Sequence, residues 1–176
     1  MESEILLSAQ NISHSFYLSK TASVRALDKL SFEIRRGEIY GLVGESGSGK
    51  STAARCVMNL VKPQSGHIFY QGIDITDPRQ FAANKKLLQT SRQMIFQDST
   101  SSLNGRMKVA DIIDFFSDFY RDFDRVKATE MLNTLNLSSL SRLKALSKGN
   151  REKVQLILTM SRRAQLYILD EPIAGV

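Results

Sequence analysis

Residues 44–51 read Gly44-Glu45-Ser46-Gly47-Ser48-Gly49-Lys50-Ser51 and fit the pattern G-x-x-x-x-G-K-[ST]. Glycines have no Cβ, so the backbone N–H groups of such a loop can curve around phosphate oxygens. The Lys50 ammonium is expected to reach the β- and γ-phosphates of a nucleotide, and the Ser51 hydroxyl is expected to ligate Mg²⁺. The stretch therefore predicts a phosphate-binding loop, and residues 44–51 carry that name below.

The segments on either side of the phosphate-binding loop have the character that this motif requires. Glu38–Val43 is a short run rich in apolar, β-branched and aromatic residues, which predicts a strand. Lys50–Val61 is predicted to be a helix that ends before Pro63, with its positive dipole end facing the bound anion. A strand, a glycine-rich loop and a helix in this order indicate an α/β fold.

The rest of the chain adds strands and a helical insert, which predicts an α/β layer fold with a small helical lobe. The further predicted strands are Leu6–Ile12, Ser31–Ile34, a hairpin of His67–Tyr70 and Ile73–Ile75, Met94–Gln97, and a buried run Leu166–Leu169. One apolar helical face comprises Ile112, Phe115, Phe116, Phe119 and Phe123, which predicts packing against a core or a partner. Helices are also predicted over Val126–Leu135 and from an N-cap at Ser147 to about Arg162.

Two acidic residues, Asp170 and Glu171, directly follow the last predicted strand. The end of such a strand lies at the carboxyl edge of the sheet, where ligands of α/β proteins bind. Asp170 could therefore join the ligand shell of Mg²⁺, and Glu171 could polarise an attacking water.

The composition excludes several other classes of protein. The 176 residues are 42% hydrophobic and 24% charged, which argues against disorder and fibrous repeats. No apolar stretch approaches the ~20 residues of a transmembrane helix, and the acidic start of the chain predicts no secretory leader. A single cysteine, Cys56, predicts a reducing cytoplasm. The formal charge of +6 is compatible with phosphate, nucleic-acid or membrane partners but selects none of them.

Together, these motifs resemble those of the ATP-binding subunits of ABC transporters. The resemblance implies an α/β P-loop NTPase fold of the ABC type, with an N-terminal β subdomain and an α-helical subdomain. The implied division is residues 1–96 for the β subdomain and phosphate-loop core, 97–145 for the helical subdomain, and 146–176 for a signature helix and the Walker B strand. ATP and Mg²⁺ are the implied ligands, and the loop together with Thr52 is their implied site.

The resemblance also assigns roles outside the loop. Asn11–Phe16 resembles the family's opening strand, whose aromatic side chain stacks on adenine. The resemblance assigns this role to Phe16, with Tyr17 as the alternate. The competing interpretation of Phe16 is that it packs in the core. Met94–Asp98 resembles the Q-loop, in which Gln97 would contact Mg²⁺ and the attacking water and sense the membrane partner.

The stretch Leu146-Ser147-Lys148-Gly149-Asn150 resembles the family signature Leu-Ser-Gly-Gly-Gln. The resemblance implies that Ser147, Gly149 and Asn150, at a helix N-terminus, bind the γ-phosphate of ATP held by the opposite subunit of a head-to-tail dimer. Lys148 stands where the family has Gly and adds a cation near the polyphosphate. Asn150 stands where the family has Gln and has a shorter reach.

The end of the sequence departs from the family pattern. After the position of Glu171 the family has a D-loop Asp and then a strand with a histidine at the γ-phosphate, whereas this sequence ends at Val176. His14 and His67 lie far upstream and are predicted to be surface residues of strands. The expectation is a truncated domain, in which Glu38–Val43 and the last strand lack a shared neighbour and ATP turnover is in question.

The two halves of the sequence resemble different branches of the family. Residues 1 to about 110 resemble oligopeptide importers, in the phosphate-binding loop and in Ile95-Phe96-Gln97-Asp98 with Ser101–Asn104. From about Asp111 the sequence resembles ABC-2 export ATPases, in the stretch 146–150 and in Lys153–Leu158. It is therefore either a divergent natural sequence or a fusion of two half-domains, and the fusion is slightly favoured.

Three functions are consistent with these motifs. The leading one is an ATPase subunit in the cytoplasm, peripheral on the inner face of the cell membrane, with transmembrane permease subunits and a second ATP-binding subunit as partners. A soluble ABC ATPase acting on nucleic acid or ribosomes would suit the charge, but no long coiled-coil insert or zinc-type cysteines support it, so nucleic acid is not the expected partner. The third is a catalytically incomplete ATP-binding fragment. The motifs identify neither the transported substrate nor the direction of transport.

Overall fold

The computed structural model of the protein describes residues 4–19, 22–96 and 103–170. Two predicted catalytic residues, Gln97 and Glu171, lie outside the described residues. The chain divides into two compact units, a first unit of Met1–Leu88 and a second unit of Gln89–Val176. The predicted division at residues 96 and 145 stays a prediction. In the described part of the chain, every helix is too short or too polar to span a lipid bilayer.

The first unit contains an antiparallel sheet of four strands. The strands are β1 (Ile5–Tyr17), β2 (Ser23–Arg35), β3 (Ser65–Tyr70) and β4 (Ile73–Asp74), in the order β2-β1-β3-β4. Ile12, Ile68 and Tyr70 are fully buried and contribute to its core. The predicted strands of this sheet are confirmed, including the β3–β4 hairpin. β1 and β2 extend beyond their predicted ends because they pair with each other along their length.

Helix α1 (Lys50–Val57) begins where the sequence predicts but ends before Val61. Asn59 adopts a left-handed φ of 57°, and its Nδ2 donates a hydrogen bond to the Ile75 carbonyl oxygen at 2.7 Å. This tertiary contact ends the helix ahead of Pro63. The helix buries Cys56, and burial raises the pKa of its thiol to about 11, so the thiol stays protonated at neutral pH.

The segment Glu38–Val43, predicted as a strand, is not one. Among the described residues it enters neither sheet, and Ile39 is 100% exposed and Val43 93% exposed. The ring of Tyr40 stacks on that of Phe32, with ring centroids 5.6 Å apart. A strand exists only where a neighbouring strand accepts and donates its backbone hydrogen bonds, and a high β-propensity does not replace that neighbour. The prediction of a strand here is therefore wrong.

Two short helices follow β4 that the sequence analysis did not predict, α2 (Pro78–Ala83) and α3 (Lys85–Thr90). The Asp77 carboxylate caps α2 by accepting a hydrogen bond from the Arg79 N–H at 2.7 Å, and Pro78 occupies the first turn. An acidic N-cap followed by proline is a helix-start signal that the sequence did contain.

The second unit combines a parallel strand pair with three main helices. Strands β5 (Arg92–Ile95) and β6 (Leu166–Leu169) pair in register from Arg92–Leu166 to Ile95–Leu169, and the helices are α4 (Val109–Phe119), α5 (Arg125–Thr134) and α6 (Lys148–Met160). A 3₁₀ turn, Leu143–Ala145, precedes α6. The helices and β6 match the predicted elements of this region. β5 begins at Arg92, two residues before the predicted start at Met94, and ends at Ile95, so Phe96 is not part of the strand. The predicted burial of the whole Leu166–Leu169 run is wrong at Leu169, which is 44% exposed because β5 is its only paired neighbour in the described residues.

The predicted aromatic stripe on α4 divides between core and surface. Ile112 and Phe123 are buried in the core of the second unit, and Phe116 packs against that core. Phe115 and Phe119 are 56% and 67% exposed and stack on each other, with ring centroids 5.9 Å apart. The five residues therefore do not form one buried face, because Phe123 lies beyond the end of α4 and reaches the core from the following turn.

Both histidines lie on strands, and His67 is a surface residue as the sequence predicts, whereas His14 is not fully on the surface. His67 is mainly exposed, and its Nδ1 lies 2.8 Å from a carboxylate oxygen of Asp74. Burial raises the pKa of Asp74, but hydrogen bonds from the side chain and N–H of Thr76 and the contact with His67 outweigh it, so the pKa lies below its usual value. His14 is half-buried in β1.

Arg162 ties the turn after α4 to the end of α6. Its guanidinium is 7% exposed, its Nε donates to an Asp122 carboxylate oxygen at 2.7 Å, and its Cζ lies 3.7 Å from the centre of the Tyr120 ring. The Tyr167 hydroxyl, on β6, donates to the Arg162 carbonyl oxygen. Through these contacts the buried Arg162 connects the turn after α4, the end of α6 and strand β6.

We expect the Arg162→Ala variant to lose about 2–3 kcal/mol of unfolding free energy, because it leaves the Asp122 carboxylate without its cation in a partly buried site. Urea unfolding followed by circular dichroism measures this loss. Arg163→Ala is the matched control, since its side chain is 76% exposed and it makes only a 3.9 Å ion pair with Asp124. Equal stability of the two variants would contradict the role given to Arg162.

Candidate functional site

The phosphate-binding loop is organised around the ammonium group of Lys50. Its Nζ donates hydrogen bonds to the carbonyl oxygens of Gly44 and Glu45, both at 2.7 Å, and lies 3.4 Å from the Ser48 Oγ. The loop is closed on itself by a further hydrogen bond from the Ser48 N–H to the Glu45 carbonyl oxygen at 3.1 Å. The loop thus curves around a fixed positive charge, which a phosphate group could contact from outside.

Glycine is required where the loop meets the sheet. Gly49 has a φ of +93°, and a Cβ placed on it would lie 2.1 Å from the Ala26 carbonyl oxygen and 3.1 Å from the Leu27 Cδ2 of β2. A Cβ on Gly44 would lie 2.7 Å from the Ser48 Oγ. Side chains at these positions would distort the loop or push it off β2. Sequence reasoning did not find Ala26 and Leu27 as supports of the loop, because no local pattern relates residues so far apart in the chain.

Helix α1 starts at Lys50, within the last two residues of this loop, with Gly49 as its N-cap. The first backbone N–H groups of a helix have no intrahelical partner and carry the positive end of the helix dipole. Ser51 is partly exposed in this first turn, and Thr52 beside it is buried. Ammonium, hydroxyl and N–H donors at one helix N-terminus fit a polyphosphate, and the Ser51 hydroxyl is a hard oxygen ligand that fits Mg²⁺.

The aromatic residues at the end of β1 lie on opposite faces of that strand. Phe16 packs edge-to-face on His14, with ring centroids 4.7 Å apart, whereas Tyr17 points to the other face by the alternation of a strand. His14 pairs across the sheet with Leu27, whose side chain reaches Gly49. Phe16 thus shares the face that borders the phosphate-binding loop. It is 40% exposed, so part of its side chain is open to a ligand, and its assignment to adenine stays a prediction.

The positions of β2 that lie next to Phe16 and next to Gly49 are close together along the strand. Phe16 pairs with Val24, which lies three residues along β2 from Leu27. At about 3.3 Å per residue, the strand covers at most about 10 Å between these positions. Phe16 and Gly49 are therefore next to positions of β2 that are at most about 10 Å apart.

The carboxyl ends of β5 and β6 lie at one edge of the second unit's sheet. The Asp170 N–H donates to the Ile95 carbonyl oxygen at 3.0 Å, so Asp170 directly follows the last paired residues. The side chain of Asp170 is largely buried. Gln97 and Glu171, the neighbouring predicted site residues, lie outside the described residues, so their predicted roles stay predictions.

The stretch predicted to contact a phosphate from a second subunit forms the start of α6. The Ser147 Oγ caps this helix by accepting a hydrogen bond from the Asn150 N–H at 3.3 Å. A Cβ on Gly149 would meet no atom within 4 Å, so this side of the first turn is open. Lys148 is exposed, and its Nζ lies 3.9 Å from a carboxylate oxygen of the buried Glu152. The predicted N-cap is confirmed.

No cluster of three or more His, Cys, Asp or Glu side chains suited to a metal is present within residues 4–19, 22–96 and 103–170. Mg²⁺ at a nucleotide is usually held by one or two protein groups together with phosphate oxygens rather than by a closed protein cage. The Ser51 hydroxyl in the first unit and the Asp170 carboxylate in the second are each an oxygen ligand of the kind that Mg²⁺ prefers.

The fold matches that of solved nucleotide-binding cassettes. One is described as the dimeric structure of a post-hydrolysis state of the ATP-binding cassette MJ0796 bound to ADP and Pi. It is similar over 94% of this chain and 74% of its own, with a TM-score of 0.74 and 21% sequence identity. The protein therefore has the P-loop fold of ABC ATPases, with a β subdomain and helical elements.

Curated relatives extend the similarity to sequence. The oligopeptide transport ATP-binding protein OppF of Streptococcus mutans is 36% identical over 181 residues, or 97% of this chain. OppF of Bacillus subtilis is 34% identical over 183 residues, or 98% of this chain. The chain spans 58% and 59% of the length of these two relatives.

These relatives correct the sequence-based view of the two halves. Each one aligns across both the region before residue 110 and the region after it, so neither a fusion nor an export-type C-terminal half is supported. The departures at Lys148 and Asn150 lie in an open first turn of α6, where side chains can change without disturbing the core.

A family model described as "ABC transporter" matches residues 27–174, which include the phosphate-binding loop, α6 and Asp170. The match covers most of the chain and agrees with the fold and with the oligopeptide-transport relatives. The chain belongs to the ABC transporter family.

Proposed function

We propose that this protein binds Mg-ATP and hydrolyses it, as a head-to-tail dimer, to power an ABC transporter that imports oligopeptides. The observation that carries the proposal is the position of the Lys50 Nζ inside the phosphate-binding loop, 2.7 Å from two loop carbonyl oxygens. A cation held in a glycine-rich loop at a helix N-terminus is an arrangement that recognises polyphosphates.

Residues of the first unit would bind the nucleotide. The loop and Thr52 would surround the triphosphate with backbone N–H groups, and Lys50 would contact its β- and γ-phosphates. Phe16 would stack on the adenine, since it is exposed on the face that borders the loop. The roles of Glu45, Ser46 and Ser48 in this proposal are to shape the loop rather than to select the base.

Ser51 of the phosphate-binding loop and residues that follow β5 and β6 in the sequence would carry the chemistry. Ser51, Asp170 and Gln97 would hold Mg²⁺, which when bound neutralises charge on the phosphate oxygens. The Glu171 carboxylate would accept a proton from the attacking water as the water oxygen bonds to the γ-phosphorus. The bond from that phosphorus to the β–γ bridging oxygen would break and release ADP.

The start of α6 would complete the site of a second copy. Ser147, Gly149 and Asn150 would contact the γ-phosphate held by the opposite subunit, with the N-terminal dipole of α6 directed at it. The structurally similar cassette MJ0796 is described as dimeric and bound to ADP and Pi, which supports a dimer that binds nucleotide for the present chain.

The partners would be transmembrane permease subunits and a second ATP-binding subunit, either identical or related. The protein would then act in the cytoplasm, on the inner face of the cell membrane. The oligopeptide substrate is supported by the names of the OppF relatives and by the importer-like motif of residues 44–49.

Calorimetric titration with Mg-ATP tests nucleotide binding directly. A sample with a cooperative thermal transition should give a saturable binding heat, and ADP should compete for the same site. A folded sample that gives no heat with Mg-ATP would overturn the proposal.

Substitution of Glu171 separates binding from turnover. We expect Glu171→Gln to keep Mg-ATP binding and to lower ATP turnover by about 100-fold, because an amide cannot accept the proton of the attacking water. Phosphate release measures turnover, with Glu130→Gln on exposed α5 as the charge-matched control. Unchanged turnover would remove Glu171 from its role. Binding without turnover in the unsubstituted protein would favour a nucleotide-binding role without hydrolysis.

A further inference from the structure

One aromatic contact at the end of β1 has no part in the sheet's own core. His14 and Phe16 meet edge-to-face, with ring centroids 4.7 Å apart and ring planes at 77°. Phe16 is 40% exposed, so part of its side chain is open to solvent while His14 contacts another part. The contact therefore limits the positions that the Phe16 ring can adopt.

The Nδ1 atom of His14 makes no contribution of its own to holding the ring. This atom is buried and has no hydrogen-bond partner among the residues that the structure describes. Across the sheet His14 pairs with Leu27, whose side chain supports Gly49 of the phosphate-binding loop. His14 thus lies between the support of the loop and the Phe16 ring.

We propose that His14 is a positioning residue for nucleotide binding, which fixes the Phe16 ring so that one face remains open for the base. This inference rests on the proposed binding of ATP and adds to it a residue that does not itself touch the ligand. Its contribution is confined to the base, since the phosphate contacts come from the loop. The ring of His14 matters for this role, and its nitrogen atoms do not.

Two ligands distinguish the contribution of the base to binding from that of the phosphates. Mg-ATP contacts both Phe16 and the loop, whereas Mg-tripolyphosphate has no base and contacts the loop alone. We expect His14→Ala to weaken Mg-ATP binding by roughly 2- to 10-fold, the range expected for losing one aromatic pair, and to leave Mg-tripolyphosphate binding unchanged. Phe16→Ala should produce at least as large a loss for Mg-ATP and again none for tripolyphosphate. Calorimetric titration measures both affinities.

Two further substitutions of His14 test whether its aromatic ring or only its side-chain volume is needed. His14→Phe should keep the Mg-ATP affinity of the unsubstituted protein within about twofold, because it retains an aromatic ring without the unpaired nitrogen. His14→Leu fills the space without a ring and should behave like His14→Ala, so the comparison survives if the alanine variant does not fold. Leu18→Ala, an exposed apolar residue of the same hairpin, is the control expected to change neither affinity.

The outcomes identify which proposal fails. Equal losses for Mg-ATP and tripolyphosphate in His14→Leu would mean a general disturbance of the loop and would overturn the positioning role. Unchanged Mg-ATP affinity in that variant would overturn it as well. If the unsubstituted protein binds both ligands equally tightly, the base makes no contact and the roles of Phe16 and His14 both fall, while the loop remains. If it binds neither ligand, the proposed function itself fails.

Discussion

The Lys50→Ala variant should bind Mg-ATP about 1000-fold more weakly than the unsubstituted protein. The ammonium group has three N–H donors, and in a nucleotide complex two of them would turn from the loop oxygens to the triphosphate. Charge-assisted hydrogen bonds contribute about 2 kcal/mol each, so losing these two costs about 4 kcal/mol of binding free energy. The fold should survive, because the Nζ contacts only atoms of the phosphate-binding loop among the described residues. Calorimetric titration measures the affinity, and a thermal melt checks the fold.

The matched control for Lys50→Ala is Lys62→Ala. Lys62 is exposed in the same unit, and its removal lowers the net charge by the same amount. A general electrostatic effect of the positive protein on an anion would weaken binding equally in both variants. A local effect would appear in the Lys50 variant alone. Similar affinities for the two variants would therefore contradict the assignment of the loop as a phosphate site.

The phosphate-binding loop could be predicted from the sequence because its determinants are local. The glycines, Lys50 and the start of α1 lie within a few residues of one another, and the geometry follows from backbone sterics and helix-end donors. The N-cap at Ser147 is local in the same sense: the Oγ accepts from the N–H of a residue three positions on. Both features appear in the structure where the sequence puts them.

The absence of a strand at Glu38–Val43 could not be predicted from the local pattern of its own residues. Its composition favours a strand, but a strand is completed by hydrogen bonds to a neighbour that can come from anywhere in the chain. The sequence pattern of β6 was similar, and that run does form a strand, because β5 pairs with it in register. The difference between the two segments lies in the partner and not in their own residues.

The stripe on α4 illustrates a related limit. Helical spacing places Phe115, Phe116 and Phe119 near one face, but spacing does not say how wide a face the neighbouring helices cover. In the structure only Phe116 reaches the core formed with α5 and α6, and Phe115 and Phe119 remain on the surface. The exposed fraction of a side chain is set by the packing of several elements, and one periodic segment does not contain that information.

The close approach of Gly49 to β2 could not be predicted from the sequence either. It is the reason why substitution of Gly49 is expected to have the second large effect on stability and binding. We expect Gly49→Ala to lose about 3–5 kcal/mol of unfolding free energy and to leave no measurable Mg-ATP binding. A φ of +93° costs a residue with a Cβ about 1–2 kcal/mol. The added methyl group would also lie 2.1 Å from the Ala26 carbonyl oxygen, so the loop must leave the sheet or displace the strand. Urea unfolding and Mg-ATP titration measure the two losses.

Gly47→Ala separates the two causes of this effect. Gly47 also has a positive φ, of +80°, but a Cβ placed there meets no atom within 4 Å. The Gly47→Ala variant should therefore lose only about 1–2 kcal/mol of unfolding free energy, which is the cost of a positive φ for a residue with a Cβ. Its Mg-ATP binding should weaken but remain measurable. If the two alanine variants are equally stable, the close approach of Gly49 to Ala26 does not hold the loop on the sheet. The position of the phosphate-binding loop relative to Phe16 would then need another support, because the distance between them depends on that contact.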